Sequence, residues 1–285
     1  NNWKFFQGDT ISAKSKDFND ISWSSLDLPH DWSIEGKISS KNPSGGSGGY
    51  LPTGIGWYRK TFKVSNNWKG KKVSIYFEGV YMNSEVFING KSLGIHPYGY
   101  TSFSYDLSPY LNFNHENVLA VRVNNSQQLN SRWYSGSGIS RHVWMIVTGA
   151  VHIGNWGVSI TTPNVSSKKA TVQIKTVITN ETGLPQNIVL STRLLGINAK
   201  DAGNNKLKVE LPANSEQEFA QTIVILDPLL WTLQIPHLYA AHIQLLQNKK
   251  VVDETKTNFG IRTIKFTAAN GFQLNGKTIQ IDGGC

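Results

Sequence analysis

Five consecutive residues, Asn130-Ser131-Arg132-Trp133-Tyr134, set two aromatic faces beside side chains rich in hydrogen-bond donors. Sugars offer apolar C–H faces and ranks of hydroxyls, so a carbohydrate site pairs aromatic platforms with amide and guanidinium groups. Asn130, Arg132, Trp133 and Tyr134 are therefore the candidate substrate-binding residues. A second reading stands beside this one: Trp133 and Tyr134 pack at a domain interface while Arg132 bridges to an acidic partner. Both can hold together.

Other residue types that carry chemistry lack the required spacing. Asp31 and Glu35 are the nearest approach to a carboxyl pair, but they sit in a Pro/Gly-flanked loop. Nothing there would hold them on opposite sides of a scissile bond, and Asp31 is expected to accept backbone N–H groups instead. The seven histidines, His30, His96, His115, His142, His152, His237 and His242, show no metal-ligand spacing. The one cysteine, Cys285, offers neither a disulfide framework nor a thiolate metal site. The run from Asn42 to Gly49 is glycine-rich, but it lacks the lysine and the strand–helix context of a phosphate loop. It is expected to be flexible. No cofactor, no metal and no in-chain catalytic residue is assigned.

The elements that must position these groups read as strands. Lys72 to Phe77 alternates and then runs apolar; Glu85 to Ile88 leads through Asn89-Gly90 into Lys91 to Gly94. An Asn-Gly pair between two such runs is a strong hairpin signal, because both central residues must accept positive φ. Val118 to Val123 and His142 to Val147 continue the series, and no helical period persists for three turns. After about residue 150 the chain turns aliphatic and Thr-rich. Strand candidates there are Val158 to Ile160, Ala170 to Val177, Ile188 to Thr192, Lys206 to Leu211, Phe219 to Ile225 and Leu238 to Leu246. That number of strands in so short a stretch suits an immunoglobulin-like sandwich. The fold class expected is all-β.

Composition excludes several classes. The chain has 285 residues, with 28 Lys+Arg against 19 Asp+Glu, a formal charge of +9. The basic residues are scattered rather than clustered, so a nucleic-acid partner is not expected. No apolar run approaches the ~20 residues a membrane-spanning helix needs. The start at Asn1, without Met, suggests a mature or trimmed product. The compartment stays open between periplasmic or secreted and cytoplasmic.

A series of segments, taken in order, resembles one family. They are Leu28-Pro29-His30-Asp31-Trp32, Gly54-Ile55-Gly56-Trp57-Tyr58-Arg59, Phe77-Glu78-Gly79-Val80, and Arg132 to Arg141. Pro228-Leu229-Leu230-Trp231, Phe259-Gly260-Ile261-Arg262 and Leu274-Asn275-Gly276-Lys277 follow. The series is similar to the N-terminal half of glycoside hydrolase family 2, with the β-galactosidase branch fitting best through the Arg132 to Arg141 segment.

The resemblance implies a jelly-roll sugar-binding-type domain at 1–150 and an immunoglobulin-like β-sandwich at 151–264. It makes 265–285 the truncated start of a (β/α)₈ (TIM) barrel, whose two catalytic glutamates lie beyond Cys285. A tail of about 20 residues has no core of its own, so disorder or a makeshift partner is expected from about Gly271. The resemblance further implies that Arg262 pins the second module to that barrel, and that Trp57, Tyr58, Arg59, Phe77, Trp144 and Trp231 belong to cores and interfaces. At the position where characterised branches carry a sugar-reaching aspartate, this chain has Arg132; where some carry Asn before Pro-Thr-Gly, it has Leu51. The parent enzyme would hydrolyse terminal β-galactosides with retention. The partners expected are a β-galactoside or related glycan and the chain's own downstream barrel, with a homo-oligomer of the full-length enzyme left open. Alternatives are β-glucuronidase or β-mannosidase specificity, a free-standing carbohydrate-binding protein, or a purely structural pair of sandwiches.

Overall fold

The computed structural model describes residues 1–131 and 133–283, and the candidate Arg132 lies outside them. The chain divides into two compact units, the first from Asn1 to Val147 and the second from Thr148 onward. Each is built of antiparallel strands, a jelly-roll β-sandwich followed by an immunoglobulin-like one.

In the first unit the strands are β1 (Trp3–Gln7), β2 (Ser24–Leu26), β3 (Gly54–Phe62), β4 (Lys72–Phe77), β5 (Ser84–Ile88), β6 (Lys91–His96), β7 (Phe103–Asp106), β8 (Asn117–Asn125) and β9 (Val143–Thr148). They form a six-stranded sheet, β2-β1-β3-β8-β5-β6, and a three-stranded sheet, β7-β4-β9. Side chains alternate across a strand, and both faces of the large sheet are covered. On one face Tyr58, Val86, Ile88, Leu119, Val121 and Val123 meet Val73, Ile75 and Phe77 of the smaller sheet. On the other, Trp57, Phe87 and Ala120 pack under Ala13 and Trp23. That double burial explains why Trp57-Tyr58-Arg59 is a continuous buried run rather than an alternating one.

Arg59 shares the parity of Trp57 and points to the second face. Only 2% exposed, it donates from Nε to Asp20 at 2.7 Å and from Nη1 to the Ser15 carbonyl at 2.9 Å and to the Ala13 carbonyl. A buried guanidinium needs such a full set of acceptors. Phe77 is likewise core, whereas Trp144 is 51% exposed and donates its indole N–H to Glu78 at 2.9 Å.

The second unit contains β10 (Val151–Val165), β11 (Lys169–Asn180), β12 (Gln186–Leu195), β13 (Asp201–Leu211), β14 (Ser215–Leu226), β15 (Tyr239–Gln247) and β16 (Lys250–Phe259). Sheets β10-β11-β14 and β13-β12-β15-β16 face each other. Between them lie Val172, Ile174, Ile178, Ile188, Leu190, Leu194, Ile223, Ile243 and Leu245, each side chain contributing about 1.5–3 kcal/mol through burial. The sequence reading passes over β16. It is an edge strand on which Val252 and Phe259 pack against the core while Asp253 to Asn258 between them are all polar, so no period-2 apolar signal marks it.

Three short strands close the description: β17 (Ile264–Thr267), β18 (Gly271–Leu274) and β19 (Lys277–Thr278). Where disorder or a makeshift partner is expected from Gly271, β18 pairs with β17, Leu274 is buried, and Asn275 donates to the Trp231 carbonyl at 3.0 Å. Arg262 is an exposed residue whose guanidinium lies over the Trp231 ring at 5.1 Å, a cation–π contact within this unit.

Candidate functional site

The segment after β8, from Ser126 to Arg141, carries the candidate residues, and two polar side chains fix its ends. Buried Asn125 donates from Nδ2 to the Gly136 carbonyl at 3.0 Å and to Ser137 Oγ at 2.8 Å. Its Oδ1 accepts the side-chain amides of Gln128 at 3.0 Å and Asn130 at 2.8 Å. One amide thus uses its donors on the return of the loop and its acceptor on the outward arm. The second anchor is Asp31. Its Oδ1 accepts the amide N–H of Ser33 at 2.9 Å and of Ser137 at 2.8 Å, and its Oδ2 accepts the Tyr134 hydroxyl. Asp31 therefore caps the single helical turn α1 (Trp32–Glu35) and holds the far segment with the same carboxylate.

Two glycines permit this approach. Gly136 has φ of 77°, and a Cβ there would stand 2.6 Å from Asp31 Oδ2. Gly138 has φ of 130°, and its Cβ would lie 2.3 Å from the Tyr58 hydroxyl and 2.7 Å from the His30 carbonyl. Side chains at either position would push the loop off its anchors.

The aromatic residues are left facing outward. Trp133 is 61% exposed and donates from Nε1 to the Tyr100 hydroxyl at 3.0 Å; Tyr134 is 44% exposed. Burial, reinforced by the hydrogen bond to the Asp31 carboxylate and its charge, pushes the Tyr134 phenol well up, so it stays a neutral donor. The space behind them, against Ser44, Thr53 and Gln128, is only about 20 Å³, room for a single water. The outer faces of the two rings are therefore what remains open to a larger group.

Of the four candidates, Asn130, Trp133 and Tyr134 follow β8 in the same segment; Arg132 lies outside the described residues. Asn130 has its amide donor turned inward to Asn125 at 2.8 Å, and its carbonyl oxygen accepts the Ser131 hydroxyl at 3.4 Å. The sequence reading missed Tyr100, which receives Trp133, and Asn125, which anchors the loop. The aromatic-Gly-aromatic run Tyr98-Gly99-Tyr100 was the available signal for the first; nothing local marks the second. The glycine-rich segment is not the loose loop expected: Ser44 is buried and donates to the Leu51 carbonyl at 2.7 Å, and Asn42 donates to the Lys37 and Tyr50 carbonyls. Asp31 and Glu35 do not form a carboxyl pair. Both oxygens of Asp31 are occupied, and Glu35 meets His30 Nε2 at 3.1 Å. Among the described residues, no group of three His, Cys, Asp or Glu side chains is placed to hold a metal ion, and no helix is long and apolar enough to cross a membrane.

Residues 48–149 match the sugar binding domain of glycosyl hydrolases family 2, and residues 151–262 match a second domain of the same family. The chain belongs to glycosyl hydrolases family 2. It is 47% identical over 283 residues to the β-galactosidase BoGH2A of Bacteroides ovatus, covering 99% of this chain and 33% of that protein. It is 39% identical over 285 residues to a putative β-glucuronidase of Formosa agariphila, covering 100% of this chain and 27% of that protein. A crystal structure of a family 2 member from Bacteroides cellulosilyticus superposes with a TM-score of 0.96 at 37% identity, over 100% of this chain and 37% of that one. The chain thus spans about a third of the length of the relatives it matches.

This family 2 chain has α1 as its one α-helical turn among the described residues, so none of the repeating strand–helix units of a (β/α)₈ barrel occurs in them. The sugar-binding match takes in Tyr100, Asn125, Trp133, Tyr134 and Ser137, but begins after Asp31. The first 47 residues nonetheless supply Trp3, Phe5 and Trp32 to the core, as well as the carboxylate that fixes the loop.

Proposed function

We propose that the protein to which this chain belongs is a retaining exo-glycosidase that removes terminal β-galactosyl units, and that this chain is its non-catalytic N-terminal part. The observation that carries the reading is the 47% identity, over 99% of the chain, to a β-galactosidase. Retaining hydrolysis needs two carboxyl groups about 5–5.5 Å apart, one nucleophile and one acid/base. The nearest such residues here are already committed, Asp31 to two amides and a phenol, Glu35 to His30. The pair is therefore assigned to a barrel downstream, with residues 265–285 as the approach to it. Trp133 and Tyr134, with Asn130 and Arg132 beside them, shape the substrate entrance.

A second specificity within the family, β-glucuronidase, is favoured by the 39% identity to a protein of that description. The two readings separate in one assay of the whole protein on p-nitrophenyl β-galactoside and β-glucuronide. Preference for the galactoside supports the first reading, and preference for the glucuronide replaces it with the second. The 285-residue chain alone is expected to turn over neither substrate. Turnover by the purified chain, free of host enzyme, would overturn its non-catalytic assignment. Trp133→Ala in the whole protein should raise KM for a galactoside while leaving thermal stability within about 0.5 kcal/mol, as an exposed side chain predicts. An unchanged KM would remove Trp133 from the entrance.

A further inference from the structure

On the jelly-roll unit, Tyr81, Tyr100, Ser135, Ser140, Arg141 and His142 stand among the residues around a cleft of about 370 Å³. That is the size of a small-molecule site. One wall is aromatic: Tyr81 and Tyr100 meet edge to face with ring centroids 5.2 Å apart, and Tyr100 receives the Trp133 indole N–H at 3.0 Å. The wall is thus continuous with the outward-facing indole.

The opposite wall carries the charges, and they are unequally satisfied. Glu78 accepts the Trp144 indole N–H at 2.9 Å and the His142 backbone N–H at 3.4 Å, and lies 3.2 Å from His142 Nδ1. These donors, the indole first, hold its carboxyl below the usual range. Arg141 has no such company. Its stem runs along Gly79, where a Cβ would stand 3.3 Å from Arg141 Cδ, and its side chain is exposed. No ion pair involves its guanidinium among the described residues. An aromatic wall, two serine hydroxyls and a guanidinium that is not paired to Glu78, whose carboxylate in the same cleft is taken up by His142 and Trp144, form the complement of one kind of ligand.

We propose that this cleft binds an acidic sugar unit of a glycan, with the carboxylate on the Arg141 guanidinium and the C–H face of the ring against Tyr100. A guanidinium fork matches a carboxylate with two parallel hydrogen bonds, which a neutral hydroxymethyl group cannot use. The proposal rests on the reading that this domain contacts glycans, but on a different set of side chains from Trp133 and Tyr134. A carboxylate on another protein segment would satisfy Arg141 as well. The cleft's volume and its tyrosine wall favour the sugar, since a protein carboxylate needs neither.

Methyl β-D-glucuronide and methyl β-D-glucoside differ only at C6, carboxylate against hydroxymethyl. Titrated into the 285-residue chain and followed by NMR, the glucuronide is expected to bind roughly tenfold more tightly, as a charge-assisted bidentate contact implies. Arg141→Gln should erase the difference, and Arg141→Lys should restore only part of it. Because Arg141 is exposed, both variants should keep the wild-type amide spectrum away from the cleft. No measurable glucuronide binding, equal affinity for the two glycosides, or a preference that survives in Arg141→Gln would each overturn the proposal and leave Arg141 to a protein carboxylate. The reading of Trp133 fails separately. If Trp133→Ala leaves galactoside binding unchanged while the Arg141-dependent preference persists, the entrance assignment falls and the acidic subsite stands.

Discussion

Asp31 and Ser137 lie 106 residues apart in the chain, yet the Asp31 carboxylate accepts the Ser137 amide N–H at 2.8 Å. The same oxygen caps α1 through Ser33, and the other takes the Tyr134 hydroxyl. Removing this carboxylate leaves the amide of buried Ser137 without its acceptor, at a cost of about 1–3 kcal/mol, and removes an N-cap worth about 1 kcal/mol. Asp31→Ala is therefore expected to lower stability by about 2–4 kcal/mol in denaturant titration of the chain. Asp31→Asn retains a carbonyl oxygen for the two amides and should lose less than half of that. Equal losses in the two variants would mean that the charge, rather than the acceptor geometry, holds the loop.

Arg59 performs a comparable service for the segment between β1 and β2. Its guanidinium takes the carbonyls of Ala13, Ser15 and Phe18, together with the Asp20 carboxylate, and it stacks 5.4 Å from the Phe18 ring. No other side chain offers a planar fork of this reach, and lysine would satisfy only part of it. Arg59→Met removes the charge while filling much of the volume. It strands Asp20 and three carbonyls, with an expected loss of about 3–5 kcal/mol. Limited proteolysis should then cut first between residues 10 and 20. Uniform susceptibility along the chain, or a loss below 1 kcal/mol, would count against this role.

The legible parts of the molecule were those set by local pattern. Asn89-Gly90 between Glu85 to Ile88 and Lys91 to Gly94 announced a hairpin, and β5 and β6 pair there. The alternation in Ala170 to Val177 announced a strand with one buried face, which β11 has. What stayed hidden depends on partners distant in sequence. β16 has no apolar rhythm because it is an edge strand, held by its ladder to β15 and by side chains such as Asp253 and Phe259 whose partners lie on other strands. Asn125 reads as one more polar residue at a strand end; its importance comes from meeting Gly136 and Ser137 across a loop. Trp144 has a partner of the same distant kind: strand parity turns its indole outward to Glu78. At the candidate site, residue type pointed to the aromatic pair, while the anchors that orient it required the fold.

A pH dependence follows from Asp9. Its Oδ1 accepts Arg122 Nε at 3.0 Å and Trp57 Nε1 at 3.1 Å, and its Oδ2 accepts Arg122 Nη2 at 2.6 Å. The Arg122 hydrogen bonds, partly opposed by burial and helped by the indole, hold the carboxyl below its ordinary value of 3.8. A group whose folded pKa is depressed favours folding when ionised. Its contribution is complete above the unfolded value and is lost as pH falls through the folded one. The wild-type chain should therefore lose more stability than Asp9→Asn as the pH drops from about 5 towards 2. Because the Asp9 side chain is 45% exposed, solvent screens the pair, and the gap at neutral pH is expected to stay below about 1 kcal/mol. Thermal melts of both proteins across that range measure it. A gap that narrows with acid supports the linkage; one that is constant from pH 7 to about pH 2 would assign the effect of the substitution to lost packing against Trp57 instead.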